Sequence, residues 1–286
     1  MAYRVSPPRI TPAPTGAPKP TASAPESDAH RQTGFVLGHE VQLVLDGLAI
    51  EGAIAEASAG AKFRSQAAMA VMGPWSRSWL ARLAALHAAQ FGNYAAAIPL
   101  VRAAADYQAA AWALQTGDGP EWTAWLDGTP IALTPDVHAT EFRLHAFRSA
   151  ETLANDPVLG PVYRVATDLA MPNFGATVLL VASDSAPDRI LMTFGDRSFH
   201  VALAELVLGW LLALGGAQVT AVGSEGTPFA AAPDPGAVSA FQAGVAGVLA
   251  DSGRCRVEAI EHGGESRYLV YNWRRTPGSA AKKLLL

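Results

Sequence analysis

A chain of 286 residues, half of them hydrophobic, is long enough to bury a sizeable core as one large or two small domains. A net charge of −4 gives no overall pull toward anionic membrane or nucleic acid, so RNA is a possible but unfavoured partner. The single cysteine, Cys255, excludes an internal disulfide and fits a reducing cytoplasm.

Residues 1 to 34 are polar and proline-rich, with no apolar run of signal-peptide length. Such a segment buries too little surface to offset the entropy of ordering it, and reads as a disordered arm dispensable for folding. Residues 36 to 60 are apolar at helical spacing and stop at Gly60. A second helical region covers 62 to 90. Gly73 and Pro74 are expected to interrupt it, with Ser76 capping the part that resumes. Gly92 and Asn93 break the pattern before a third helix, Tyr94 to about Gln115, which carries Pro99 inside it. Thr134 and Pro135 resemble the cap and first turn of a helix running to about Ala154. Asp156 and Pro157 restart the chain before VYRVATDLAM, and Met-Pro-Asn-Phe-Gly breaks it again at 171 to 175.

TVLLVAS follows, then a turn, then RILMTF as a short strand and a long apolar helix over 197 to 215. Residues 201 to 217 span about 26 Å as a helix, at the short limit for a bilayer core of about 30 Å. Glu205 within them favours a buried core helix over a membrane span. Residues 224 to 236 read as a linker, 237 to 253 as a helix, and CRVEAIEHGGESRYLVYNW as a hairpin around Gly263 and Gly264. The expected fold is mostly α: an antiparallel helical bundle over 35 to 223, joined by that linker to a C-terminal helix and small β-hairpin over 237 to 286.

Four polar side chains stand out in the apolar stretch from 82 to 114: Arg82, His87, Arg102 and Asp106. Arg102 and Asp106 have the i, i+4 spacing of an ion pair within one helix. In so apolar a helix the pair reads as a partly buried clasp that fixes register, with the Tyr94 and Tyr163 hydroxyls as further partners. A ligand pocket is the other reading of the same residues. His138, Glu141 and His145, at offsets of 3 and 7, fall within about 60° on one helix face and are candidate metal ligands. Arg148 on that face disfavours a dication, and a solvated polar face is the plainer reading. Trp75 and Trp79, one turn apart, read as core; Trp122 and Trp125 fall in a loop and would mark a contact surface if exposed. No phosphate-binding glycine loop, nucleophile elbow or Cys-x-x-Cys occurs, so no cofactor is implied.

Tyr94, Arg102 and Asp106 in FGNYAAAIPLVRAAADYQAA, with Tyr163 and Pro172 in PVYRVATDLAMPNFGATV, resemble a broad group of bacterial helical proteins of unknown function related to HEPN-type bundles. Asp106 stands for the usual glutamate, and Met171 where a histidine is expected. The resemblance implies an antiparallel bundle, often a dimer. HEPN ribonucleases carry an arginine and a histidine four to six residues apart, so Arg82 with His87, and Arg256 with His262, are alternative catalytic pairs. Residue types this frequent give such spacings by chance, and five residues along a helix turn about 140°, so Arg82 and His87 do not face one point. The expectation is a cytoplasmic, non-enzymatic bundle acting through protein contacts as a homodimer. A defence-type or toxin-type ribonuclease, and a metal- or small-molecule-binding bundle, are the alternatives.

Overall fold

The computed structural model describes residues 15–17, 24–58, 66–116, 150–182, 191–222 and 234–286. The chain forms α1 (Ala24–Val36), α2 (Gly38–Ala57), α3 (Gln66–Gln90), α4 (Tyr94–Thr116), α5 (Ala150–Asn155), α6 (Leu159–Ala170), α7 (Phe174–Val181), α8 (Val201–Val222) and α9 (Pro235–Ala250). Three strands follow, β1 (Arg256–His262), β2 (Glu265–Trp273) and β3 (Lys282–Leu285), in the order β1-β2-β3. The mostly helical bundle with a small C-terminal antiparallel sheet agrees with the pattern of the sequence.

The helices bury stripes that recur every three or four residues. In α2 the stripe runs through Val41, Val44, Leu48, Glu51 and Ile54. In α3 it runs through Val71, Trp75, Ser78, Arg82, Ala85 and Ala89. Facing alanines on α4, Ala97, Ala104 and Ala105, let the two backbones approach closely enough for the Ser78 hydroxyl to donate to the Ala104 carbonyl at 3.0 Å. α3 is unbroken at Pro74, contrary to the expected interruption, and Ser76 caps nothing. An internal proline removes only one backbone bond, and the buried stripe on both sides of it holds the helix together.

The turn from α3 to α4 explains the break at Gly92 and Asn93. Gly92 has φ +70, and a Cβ there would collide with the Arg197 carbonyl. The Asn93 side chain accepts from the Ala96 amide at 3.3 Å and opens α4. Asp156 receives the Val158 and Leu159 amides at 2.8 and 2.7 Å and starts α6. Asn173 caps α7 through the Ala176 amide at 2.8 Å. Asp234 caps α9, with Pro235 in its first turn, so this helix begins inside the expected linker.

Three further expectations are corrected. The arm is not disordered up to residue 34: α1 starts at Ala24, buries Ala29 and Thr33, and is tied to the loop before α8 by Glu26 and Arg197. RILMTF forms no strand from Leu191 onward: among the described residues no neighbouring strand pairs with it, and Gly195 turns the chain at φ +69. The long apolar helix begins at Val201 rather than 197 and continues through Gly215 and Gly216 to Val222. Its first amides are taken by carbonyls just after β2: Val201 donates to Arg275 and Ala202 to Arg274, at 3.0 and 3.2 Å.

The hairpin is as expected. His262 pairs with Glu265, and Gly263 and Gly264 both have positive φ, the two-residue turn that matches strand twist. β3, paired to β2 through Leu285 with Leu269, was too short to read from its sequence. The C-terminal region is not a separate appendage. Phe241, Val245, Val248, Cys255 and Val270 share one core with α2, α4, α6 and α8. Among the described residues, α8 is the helix long and apolar enough to cross a membrane, and most of its side chains are buried inside the bundle.

Candidate functional site

The apolar stripes of α2 and α3 each carry one charge, and the two charges meet. Both guanidinium ends of Arg82 donate to Glu51, at 2.7 and 2.6 Å, and the Trp75 indole donates to the same carboxylate at 2.7 Å. Arg82 is 2% exposed and Glu51 is fully buried. Arg82 is therefore neither a surface residue nor a group that can reach an RNA phosphate. Its Nε has no acceptor among the described residues. The signal was present in the sequence, since Glu51 and Arg82 both fall on the buried stripes, but it pairs residues 31 apart that no local spacing connects.

His87, five residues on, points elsewhere. Its Nε2 lies 3.1 Å from the Thr15 carbonyl, so it contacts the N-terminal segment and not Arg82. The two do not form a catalytic pair. Arg256 and His262 also stand apart. They lie six residues apart along β1, about 20 Å in an extended strand. Arg256 pairs with Glu258 and stacks over Tyr271.

Of the expected clasp, the contact to Tyr163 forms: Arg102 crosses to α6, where it donates to the Tyr163 hydroxyl at 3.0 Å and stacks over that ring at 5.2 Å. Both α4 residues are half-buried, at the edge of the stripe and not within it. The long guanidinium stem reaches a neighbouring helix readily, and the cation-first order is the weaker one within a helix. Tyr94, the other expected partner, instead accepts the His200 amide at 3.2 Å. His138, Glu141 and His145 lie outside the described residues, as do Trp122 and Trp125. Among the described residues no cluster of His, Cys, Asp and Glu is arranged to hold a metal.

A second polar network joins the sheet to α8. Glu205 accepts the Cys255 amide at 2.8 Å, pairs with Arg274, and offers its own carbonyl to Arg254 at 2.9 Å. Arg254 then pairs with Glu40 on α2. Burial pushes the Glu205 carboxyl up, against the lowering by the Cys255 amide and Arg274. Burial and the nearby Glu205 raise the Cys255 thiol to about 12, which makes it a poor nucleophile. At the start of α8, burial and the adjacent Arg275 lower His200 to about 4. The neutral ring packs on Trp273, centroids 4.7 Å apart, and its Nδ1 faces the Leu203 amide at 3.4 Å. The first network couples two helices, and the second couples α8 to α2 and to the residues flanking the sheet.

The surface is less ordinary. Met171 and Phe174 are 58% and 67% exposed at the head of α7. Leu191, Met192 and Phe194 are 42%, 48% and 106% exposed in the segment tied to its other end, where the Thr193 amide donates to the Val181 carbonyl at 2.7 Å. α7 itself, FGATVLLV, carries no charge and fully buries only Ala176. The result is an apolar ridge framing one short helix. Periodicity could not have found it, because a large apolar residue reads as core until the packing is known. No protein-family model, no curated protein and no solved structure matches the chain.

Proposed function

We propose that this protein acts without catalysis, through protein contacts, and that the ridge of Met171, Phe174, Leu191, Met192 and Phe194 is its contact surface, occupied by a second copy of the chain. The observation that carries this reading is the exposure of those five large apolar side chains at the two ends of one short uncharged helix. At about 200 Å² for each large side chain, they leave on the order of 600 Å² of apolar surface in water. A typical monomer's largest patch is about 300–600 Å², and each partner in a standard interface buries about 800 Å². A patch without charge presents no repulsion to its own copy across a two-fold axis, where each residue meets the same surface again. The likeness of Tyr94, Arg102, Asp106 and Tyr163 to the HEPN-related bundles, often dimers, supports the same reading. A single buried cysteine fits a reducing cytoplasm.

The ribonuclease reading has no comparable support, since the guanidinium of Arg82 is enclosed by Glu51 and Trp75. The test is the mass of the protein in solution by light scattering across a concentration series. The expected result is a dimer that Phe174→Asp with Phe194→Asp converts to a folded monomer. A monomer at every concentration, or a dimer indifferent to both changes, overturns the proposal.

A further inference from the structure

We infer that α1 is a hinged strap: it opens about Leu37 while the rest of the bundle stays folded, and when closed it holds the segment that carries Leu191, Met192 and Phe194. Closure thereby favours assembly, a consequence that rests on the ridge being the dimer surface.

The hinge is a one-residue break. α1 ends at Val36 and α2 begins at Gly38. Leu37 between them has φ −125 and ψ 26, and no side chain caps the junction. The backbone ladder nearly runs through it: the Leu37 amide donates to the Thr33 carbonyl at 2.8 Å, and the Val41 amide donates to the Leu37 carbonyl at 3.0 Å. A change in the two dihedrals of one residue therefore swings α1 with few bonds lost. Leu37 is itself buried, so the pivot stays fixed in the core.

The strap is lightly held. α1 buries Ala29 and Thr33, whereas α2 buries Val41, Leu43, Val44, Leu48 and Ile54. The largest apolar side chain of α1, Phe35, is 91% exposed. Ala29 sits on the turn from α3 to α4, where a Cβ on Gly92 would come within 3.2 Å of its methyl; the contact is close but small. The Thr33 hydroxyl bonds the Ala29 carbonyl at 2.8 Å inside α1, so opening leaves no partner of that hydroxyl behind in the core. At the far end, Glu26 pairs with Arg197, and the His30 ring lies against Phe91 with centroids 4.9 Å apart. Thirteen residues detached from the bundle are about the length at which an isolated helix is marginal in water, so opening and unwinding go together.

Arg197 connects the strap to the ridge. Its Nε donates to the Phe91 carbonyl at 3.1 Å while its guanidinium pairs with Glu26, which pins the chain just after Phe194. The Thr193 amide, on the Val181 carbonyl at 2.7 Å, pins the same segment to α7. Opening α1 takes Glu26 away and loosens the first of these two anchors.

The test is hydrogen exchange followed by mass spectrometry on the full chain, with light scattering beside it. Relative to their unstructured rates, α1 amides are expected to exchange about a hundredfold or more faster than those of α2, with the step at Leu37. Glu26→Gln removes the tie to Arg197 and should speed α1 by about fivefold, the scale of a partly exposed ion pair. Ala29→Arg needs more room than the approach to Gly92 leaves. It should hold α1 open, leave α2 and α8 protected, and speed exchange over 191–200, where the Thr193 and His200 amides bond Val181 and Tyr94. The same variant is expected to weaken the dimer by about tenfold, the scale of ordering an interface side chain or two afresh. Protection of α1 equal to that of α2, loss of α2 and α8 protection along with α1, or unchanged exchange over 191–200 overturns the inference. A dimer of unchanged affinity in Ala29→Arg overturns the link to assembly. A wild type monomeric at every concentration overturns the dimer reading instead, and exchange alone then decides the strap.

Discussion

Replacing Glu51 by leucine tests whether the buried pair governs the core. The substitution leaves the Arg82 cation enclosed without a counter-charge, and it removes the carboxylate to which the Trp75 indole donates. Breaking one side of a buried ion pair costs about 3–5 kcal/mol, because the remaining charge stays desolvated. At roughly 2–4 °C per kcal/mol for a domain of this size, the thermal midpoint should fall by about 10 °C. The double change Glu51→Leu with Arg82→Met removes both charges along with the unsatisfied Nε of Arg82. The indole then loses its bond to Glu51, at about 1 kcal/mol, so most of the loss should be recovered. Arg102→Met provides a contrast. That residue is half-buried and partnered by a neutral hydroxyl, so the cost should be about 1 kcal/mol. Urea unfolding followed by tryptophan fluorescence measures all three. If Glu51→Leu unfolds at the wild-type midpoint, or the double variant is no more stable than the single, the core does not rest on this pair.

His200 gives a pH signature. The unfolded chain takes up its proton near pH 6.5 and the folded one only near 4, so stability should decline as pH falls between these values, by roughly 3 kcal/mol in all. Denaturation across that range should show the slope in the wild type and its loss in His200→Gln. Gly47→Ala places a methyl 2.6 Å from the buried Phe241 ring and should cost about 1–3 kcal/mol in a urea titration; an unchanged midpoint would show that the α2–α9 contact yields freely. Cys255 should resist iodoacetamide at pH 8 in the native protein and react after unfolding, as mass spectrometry can follow; prompt native labelling would contradict its burial and raised thiol.

The sequence by itself determined the class of fold and most of its punctuation. Helical spacing along α2, α4 and α6, the break at Gly92 and Asn93, the restart at Asp156 and the hairpin at Gly263 and Gly264 are local effects of periodicity, capping and backbone freedom, and each acts within a few residues. Tertiary packing decided the rest. Pro74 lies inside α3 because the buried stripe outweighs one lost backbone bond. Ala24–Val36 is helical because Ala29 and Thr33 find a core to enter. The same physics relocated the polar centre. Arg102 and Asp106 are neighbours along one helix and stood out by their spacing, whereas the fully buried ion pair joins Arg82 and Glu51 on different helices. Burying a charge demands an opposite charge at contact distance, and only the folded arrangement of α2 against α3 brings one there. Exposure is the most non-local property of all: Phe174 and Phe194 read as core residues in any window of sequence, and they face water because no other described element covers them.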